Sequence, residues 1–97
     1  MIAGRIYAIT NICNGTKYIG QTTLSLEERF KLHCADAKKE RNKYRKLYIA
    51  MNEYGFGSFE IEELETIEDN KILNEREIFW IEKLHTFEKG YNETKGG

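Results

Sequence analysis

The pattern of apolar and polar positions divides the 97-residue chain into six predicted elements, of which the first two form a β-hairpin. Residues 4–12 and 16–21 are rich in strand formers, and the pair Asn14-Gly15 lies between them. Both turn residues tolerate positive φ, so Asn-Gly between strand formers is a strong signal for a two-residue type I′ turn. The two segments are therefore predicted to pair as antiparallel strands around that turn.

This turn also predicts the register of the hairpin. Residues whose numbers sum to 29 would lie opposite each other, so Tyr18 would face Asn11, and Tyr7 would share their face of the sheet. Tyr7 would then lie four residues along the strand from the partner of Tyr18, roughly 13 Å away unless a bulge shifts the register. Tyrosine favours strands, so simple packing and a role in a site both remain open for the two phenols.

Two helices are predicted next, at about 25–39 and 43–54. Ser25 and Glu28 have the spacing of a capping box at the start of the first helix. Each helix then carries apolar residues at helical spacing. The predicted stripes are Leu26, Phe30, Cys34 and Ala37 in the first helix, and Tyr44, Leu47, Tyr48 and Met51 in the second.

Alternation of apolar and acidic residues predicts a third strand near 58–65, before a last helix. Asp69 or Asn70 would cap that helix, which runs to Leu84. The order β-β-α-α-β-α predicts a single α+β domain over residues 1–97, with one short antiparallel sheet flanked by helices.

The net charge of −1 hides a strong asymmetry. Residues 1–50 carry ten Lys and Arg against four Asp and Glu, whereas residues 51–97 carry five against twelve. Within the basic half, residues 38–46 form a dense cationic stretch, which fits either contact with a nucleic-acid backbone or a solvated surface. The acidic half argues against DNA binding on all sides. The cations of the densest stretch are Lys38, Lys39, Arg41, Lys43, Arg45 and Lys46.

Other classes of protein are not favoured. The chain has no run of about 20 apolar residues, the length that a membrane helix needs, and no signal peptide, so a cytoplasmic protein without a membrane partner is expected. Cys13 and Cys34 lie outside any metal-ligand spacing. They are expected to be free thiols in a reducing compartment, and a zinc site is not expected.

The last predicted helix contains a carboxylate where an apolar residue would be expected. Glu77 lies in the middle of the stripe formed by Leu73, Trp80, Ile81 and Leu84. A carboxylate directed at a core is costly unless it is paired or bound to a metal. Three explanations are open: a cationic partner such as Arg76 or a lysine, a stripe edge that reaches solvent, and a metal ligand.

The first helix carries a second candidate group. Arg29 and His33 have i, i+4 spacing and share a face. Arginine can bind a phosphate and histidine can relay a proton, but a solvated pair is also open, and so is orientation of His33 by Asp36. Together with the two tyrosines and Glu77, this pair supplies the parts that metal-assisted phosphodiester hydrolysis requires.

These residues, in this order, resemble the GIY-YIG nucleases, and among them the catalytic domains of phage intron-type homing endonucleases. The likeness covers nearly the whole chain. The matching positions are Arg5-Ile6-Tyr7, Tyr18-Ile19-Gly20, Arg29, His33, Glu77 and Gly90-Tyr91-Asn92. The resemblance implies a three-stranded antiparallel sheet flanked by helices, and DNA as the substrate.

The resemblance also implies a division of roles. Tyr7 would be the base that activates water, with His33 helping to remove its proton, and Tyr18 would orient water or substrate. The usual phenol pKa near 10 makes a poor base at neutral pH, so a nearby cation is expected to lower it.

The remaining roles concern the metal and the phosphate. Glu77 would be the only protein ligand of one Mg²⁺, with Mn²⁺ as the alternative ion. Arg29 would stabilise the scissile phosphate, and Asn92 would hold the site together near the metal.

Two departures from the family pattern stand out. Arg5 occupies the position of the first family glycine, which is expected to change strand-edge packing rather than chemistry. Some homing members carry a second histidine after the first helix, where this chain has Asn42 between two cations; His85 lies elsewhere and does not replace it.

The sequence therefore predicts a Mg²⁺-dependent DNA endonuclease, with a separate DNA-binding domain or subunit as a further partner. Two other functions are open: an inactive nucleic-acid-binding module of the same fold, and a protein-interaction domain. No element is an obvious reader of bases, so weak intrinsic sequence preference is expected.

Overall fold

The computed structural model describes residues 2–96, so Met1 and Gly97, the ends of the predicted domain 1–97, lie outside the described residues. The predicted order of strands and helices is confirmed. Short 3-10 turns cover Glu40–Asn42, Phe56–Ser58 and Asn70–Ile72. The main elements are β1 (Gly4–Asn11), β2 (Lys17–Thr22), α1 (Leu26–Ala37), α2 (Lys46–Tyr54), β3 (Phe59–Ile67) and α3 (Leu73–Leu84).

The antiparallel sheet has the order β2-β1-β3, which makes β1 the central strand. Alternate residues of β1 enter two hydrophobic clusters. Tyr7 and Ile9 pack with residues of α1 and α2, whereas Ile6 and Ala8 pack with Ile81 of α3. The sheet therefore lies between α1 and α2 on one face and α3 on the other.

Of the two predicted helix caps, the first lies at the start of its α-helix and the second lies on a 3-10 turn before it. The Ser25 hydroxyl accepts from the Glu28 backbone N–H at 3.2 Å and donates to the Glu28 carboxylate at 3.0 Å, so the first predicted cap is confirmed. Asp69 accepts from the Lys71 backbone N–H, but it caps the 3-10 turn. The α-helix itself begins only at Leu73.

The predicted hairpin register is wrong by two residues. Tyr18 pairs with Ile9 rather than with Asn11, and Tyr7 pairs with Gly20. The cause is the turn: the Asn11 carbonyl accepts from the Gly15 N–H at 2.7 Å, and of the two predicted turn residues only Gly15, at 77°, has positive φ. The longer loop halves the predicted separation of Tyr7 and Tyr18 along the sheet and keeps them on one face.

The second helix starts later than predicted, because Arg45 is extended at ψ 133° and α2 begins only after it. Tyr44, predicted to lie in the apolar stripe, is instead 85% exposed. Leu47, Tyr48 and Met51 are buried as predicted. Residues 38–46 therefore form a surface segment that connects α1 to the first residue of α2.

The expected effect of Arg5 at a strand edge is wrong, because β1 is the central strand. Arg5 Nε lies 2.8 Å from a carboxylate oxygen of Glu63 on β3. The register between β1 and β3 shifts after Ile6, where a bulge interrupts the pairing. The arginine thus links two strands close to Tyr7.

The described helices, over residues 2–96, include none that is long and apolar enough to cross a membrane.

Candidate active site

The two tyrosines of the hairpin lie side by side. Their ring centroids are 6.3 Å apart. Tyr7 is fully buried, and its phenol crosses directly over Gly20 on the paired strand. A methyl group at position 20 would overlap the Tyr7 hydroxyl, so glycine is required there by the close approach of the tyrosine.

Helix α1 brings Arg29 and His33 to the Tyr7 hydroxyl. His33 Nε2 lies 2.7 Å from the phenol oxygen, and Arg29 Nε donates to the same oxygen at 3.2 Å. His33 is only 1% exposed. The solvated pair considered from the sequence is therefore excluded, and both side chains contact one phenol.

Tyr48 of α2 is a site residue that the sequence pattern placed in the core alone. Its ring is buried, but its hydroxyl lies 2.9 Å from His33 Nδ1. Asp36, considered from the sequence as the group that orients His33, forms an ion pair with Lys39. The only signal for Tyr48 was its type, because a buried tyrosine usually has a polar partner for its hydroxyl.

Burial dominates the titration of the central groups. It raises the pKa of Tyr7 well above its usual value, and the nearby Tyr18 adds to this, while the charge and hydrogen bond of Arg29 oppose it. Burial, and then the charge of Arg29, lowers the pKa of His33 to about 3. Both groups are therefore neutral at pH 7, and the expected lowering of the Tyr7 pKa by a cation is outweighed.

Tyr18, the second phenol, is affected by the charge of Glu77. Burial raises the pKa of Tyr18, with the charge of Glu77 adding to the rise and those of Arg45 and Arg29 opposing it. The Tyr18 ring meets that of His33 edge-on at 5.5 Å. Tyr18 is therefore a neighbour of His33, which contacts the Tyr7 hydroxyl, and is close enough to feel the charge of Glu77, the predicted metal ligand.

Glu77 lies partly exposed on α3, with one carboxylate oxygen 3.4 Å from Gln21 Nε2 of β2. Arg76, a predicted partner, is 2.9 Å from Glu65. No group of three or more His, Cys, Asp or Glu residues in the range 2–96 could hold a metal. One carboxylate ligand such as Glu77 fits Mg²⁺, which keeps several waters and binds through one or two carboxylates and substrate phosphates.

Asn92 holds the outer edge of β2. Its side-chain amide accepts from the Ile19 N–H and donates to the Ile19 carbonyl, both at 2.8 Å. These two bonds replace a neighbouring strand at the residue between Tyr18 and Gly20. Asn92 therefore fixes β2, the strand that carries Tyr18 and that lies against the Tyr7 ring at Gly20.

The six cations predicted to bind DNA all lie exposed on the segment 38–46. Three of them are ion-paired with surface carboxylates: Lys39 with Asp36, Lys43 with Glu40, and Arg45 with Glu93. Such exposed pairs are worth roughly 0–1 kcal/mol, so a phosphate can compete for these cations. The Arg45 guanidinium also lies 5.4 Å from the centre of the Tyr48 ring, which connects the segment to the site.

Comparisons with known proteins find a family match over nearly the whole chain. The sequence model of the GIY-YIG catalytic domain matches residues 3–92. Intron-associated endonuclease 1 of Enterobacteria phage T4 is 38% identical over 88 residues, which are 90% of this chain and 35% of that protein. The chain spans about a third of the length of two curated relatives that it matches.

Two solved structures share the fold. A mutant of the catalytic domain of intron endonuclease I-TevI superposes with a TM-score of 0.85 at 33% identity, covering 97% of this chain and 96% of that chain. The catalytic domain of homing endonuclease I-TevI gives a TM-score of 0.81 at 34% identity, covering 94% and 98%. The similarity thus extends over the sheet and all three α-helices.

Proposed function

The chain belongs to the GIY-YIG nuclease family, and from this membership we propose that it is the catalytic domain of a DNA endonuclease that hydrolyses phosphodiesters with one bound Mg²⁺ or Mn²⁺. The observation that carries the proposal is the shared phenol oxygen of Tyr7. It lies 2.7 Å from His33 Nε2 and 3.2 Å from Arg29 Nε. A proton acceptor and a phosphate-binding cation thus meet at one potential base.

The proton relay explains how a phenol with a raised pKa can act as a base. A preformed tyrosinate is disfavoured by burial. Tyr7 can instead accept a proton from water while its own proton passes to His33 Nε2. One O–H bond of water and the Tyr7 O–H bond break, a new Tyr7 O–H and an N–H bond form, and the charge appears on His33 and on the attacking hydroxide oxygen.

Binding of a substrate phosphate would prepare both Tyr7 and His33 for proton transfer. Arg29 lowers the proton affinity of His33, and pairing the guanidinium with a phosphodiester anion cancels that effect. Tyr7 is fully buried, so water reaches its oxygen only after a neighbour moves. The partly exposed Arg29, which donates to that oxygen, is the neighbour that a phosphate would attract.

Glu77 is the residue proposed to hold the divalent cation, which when bound would neutralise negative charge developing on the phosphate. Tyr18, between Glu77 and His33, is proposed to orient water or substrate. Asn92 is proposed to act through β2, by keeping both tyrosines in place.

The exposed segment 38–46 is proposed to bind the DNA backbone. Its six cations and the 85% exposed Tyr44 lie between the end of α1 and the first residue of α2. Cations on an exposed backbone-binding surface give affinity without reading sequence, because phosphate contacts carry no base information. A further DNA-binding region or subunit is proposed to supply target choice.

Nicking of supercoiled plasmid tests the proposal. The wild type should nick in Mg²⁺ and stop in EDTA. Tyr7→Phe should lower the rate by about 10²–10⁴-fold, the usual contribution of a general base, with a similar melting temperature. Tyr54→Phe, on the exposed end of α2, is the matched control and should cut like the wild type.

The same assay separates the other functions. Salt-sensitive DNA binding without cleavage in either Mg²⁺ or Mn²⁺ would identify an inactive binding module. Failure to bind DNA at low salt would favour a protein-interaction domain.

A further inference from the structure

The Tyr48 hydroxyl is the second hydrogen-bond partner of His33. His33 lies between two phenols, with Nε2 2.7 Å from the Tyr7 oxygen and Nδ1 2.9 Å from the Tyr48 oxygen. All three side chains are at most 3% exposed and come from three different elements, β1, α1 and α2. The imidazole is therefore held at both nitrogens inside the core.

A neutral imidazole has one N–H, so one of its two phenol neighbours must donate a hydrogen bond to it and the other must accept one from it. The Tyr7 oxygen already accepts from Arg29 Nε, and Tyr7 is 0% exposed. Among the described contacts, His33 Nε2 is the acceptor within reach of the Tyr7 proton. Nε2 is then the bare nitrogen, and Nδ1 carries the hydrogen and donates to Tyr48.

The surroundings of Tyr48 allow its oxygen to accept. A phenol hydroxyl can rotate, so its proton can point away from His33 while its oxygen accepts. Tyr48 also lines a small cavity together with Tyr18, Arg45 and Glu93. Burial raises the pKa of Tyr48, so the group remains a neutral hydroxyl. The opposite tautomer would direct a second N–H at the Tyr7 oxygen and leave the fully buried Tyr7 proton without this acceptor.

We propose that Tyr48 is a positioning residue for proton transfer, whose hydroxyl accepts from His33 Nδ1–H and so keeps Nε2 free to take the Tyr7 proton. The proposal rests on the proposed endonuclease function. When the proton arrives at Nε2, the same Tyr48 oxygen continues to accept from Nδ1–H of the imidazolium. Tyr48 touches neither substrate nor water in this scheme and acts only through His33.

Packing alone does not account for this hydroxyl. The ring of Tyr48 lies in the core with Leu47 and Met51, and the Arg45 guanidinium lies 5.4 Å from its centre. A phenylalanine would keep the ring and these contacts. What Tyr48→Phe removes is the hydrogen bond to Nδ1.

The tautomer can be measured directly by ¹⁵N NMR of the histidine rings in the full chain at pH 7. His33 of the wild type should show a protonated Nδ1 and a bare Nε2. Tyr48→Phe removes the acceptor for Nδ1–H and should therefore raise the fraction of His33 that is protonated at Nε2. The surface residue His85 supplies the second set of ring signals and should be the same in both proteins. A wild-type His33 protonated at Nε2, or a pattern unchanged in Tyr48→Phe, would overturn the proposal.

Plasmid-nicking kinetics give the second readout. Tyr48→Phe should lower kcat about tenfold, the effect of losing one hydrogen bond, and leave KM for DNA unchanged. Tyr54→Phe, on the same helix, should leave both constants unchanged. Equal kcat for Tyr48→Phe and wild type would reject the positioning role, whereas a wild type that never cuts would reject the endonuclease function and leave the NMR result to decide the tautomer.

Discussion

At the scale of single residues, the centre of the candidate site is built from neutral, buried groups. Tyr7, His33 and Tyr48 form a chain of hydrogen bonds that burial keeps uncharged. Such a chain can pass a proton without holding a charge in the resting protein. Under the proposed function, the cation Arg29, which donates to the Tyr7 oxygen, would make this chain of hydrogen bonds sensitive to a bound phosphate.

The low pKa of His33, about 3, makes the stability of the fold depend on pH. In the unfolded chain the histidine pKa is about 6.5, so below that pH the unfolded state binds a proton that the native state does not. Stability contributed by neutral His33 is therefore fully present above pH 6.5 and lost as the pH falls towards 3. We expect a loss of about 2 kcal/mol in the free energy of unfolding between pH 7.5 and 5, measured by urea denaturation.

The control for this dependence is the exposed histidine. His33→Gln should flatten the pH profile between 7.5 and 5, whereas His85→Gln should leave it as in the wild type. A wild-type free energy of unfolding that stays constant over this range would show that His33 is charged or exposed in solution.

At the scale of elements, the packing of β1 against β2 places the phenols, and Gly20 makes it possible. Gly20→Ala would force Tyr7 away from its position over β2. Overpacking of this kind costs about 1–3 kcal/mol, so the melting temperature should fall and nicking should slow with it. Gly57→Ala is the matched control, because an added methyl there meets nothing within 4 Å. If the two variants have equal stability and activity, the close approach of Tyr7 to Gly20 is wrong.

The elements also show how far sequence could predict this fold. Helical spacing predicts α1 and α3, and the Ser25 cap predicts the start of α1, because those signals are local. The hairpin register was wrong because the Asn11 carbonyl and side chain organise a longer turn than Asn14-Gly15 suggests. Periodicity placed Tyr44 and Tyr48 in one stripe, and only the late start of α2 separates an exposed residue from a buried one.

The site was predictable only in part for a similar reason. Motif order brought Tyr7, Arg29 and His33 together as candidates, and the structure joins them at one oxygen. The contact of His33 with Tyr48 spans two helices, and no sequence spacing encodes it. Tyr48 was therefore indistinguishable from an ordinary core residue.

At the scale of the whole molecule, the basic half of the sequence contrasts with an acidic half. The exposed segment 38–46 should give DNA binding that weakens steeply with salt. Arg41→Ala should lower the slope of log affinity against log salt by about 1, measured by fluorescence anisotropy in EDTA. Lys71→Ala, in the acidic half, should leave the slope unchanged; an equal effect of both variants would place the DNA elsewhere.

The central claim is that Glu77 and Arg29 serve one hydrolytic site. Its most direct test is the initial rate of plasmid nicking in Mg²⁺ by the wild type, Glu77→Ala and Arg29→Ala, with Glu82→Ala on the same helix as control. Loss of a metal ligand or of a cation that stabilises the transition state should each lower the rate by about 10²-fold or more, and the control should cut at the wild-type rate. Equal cutting by the wild type and both site variants would contradict the account.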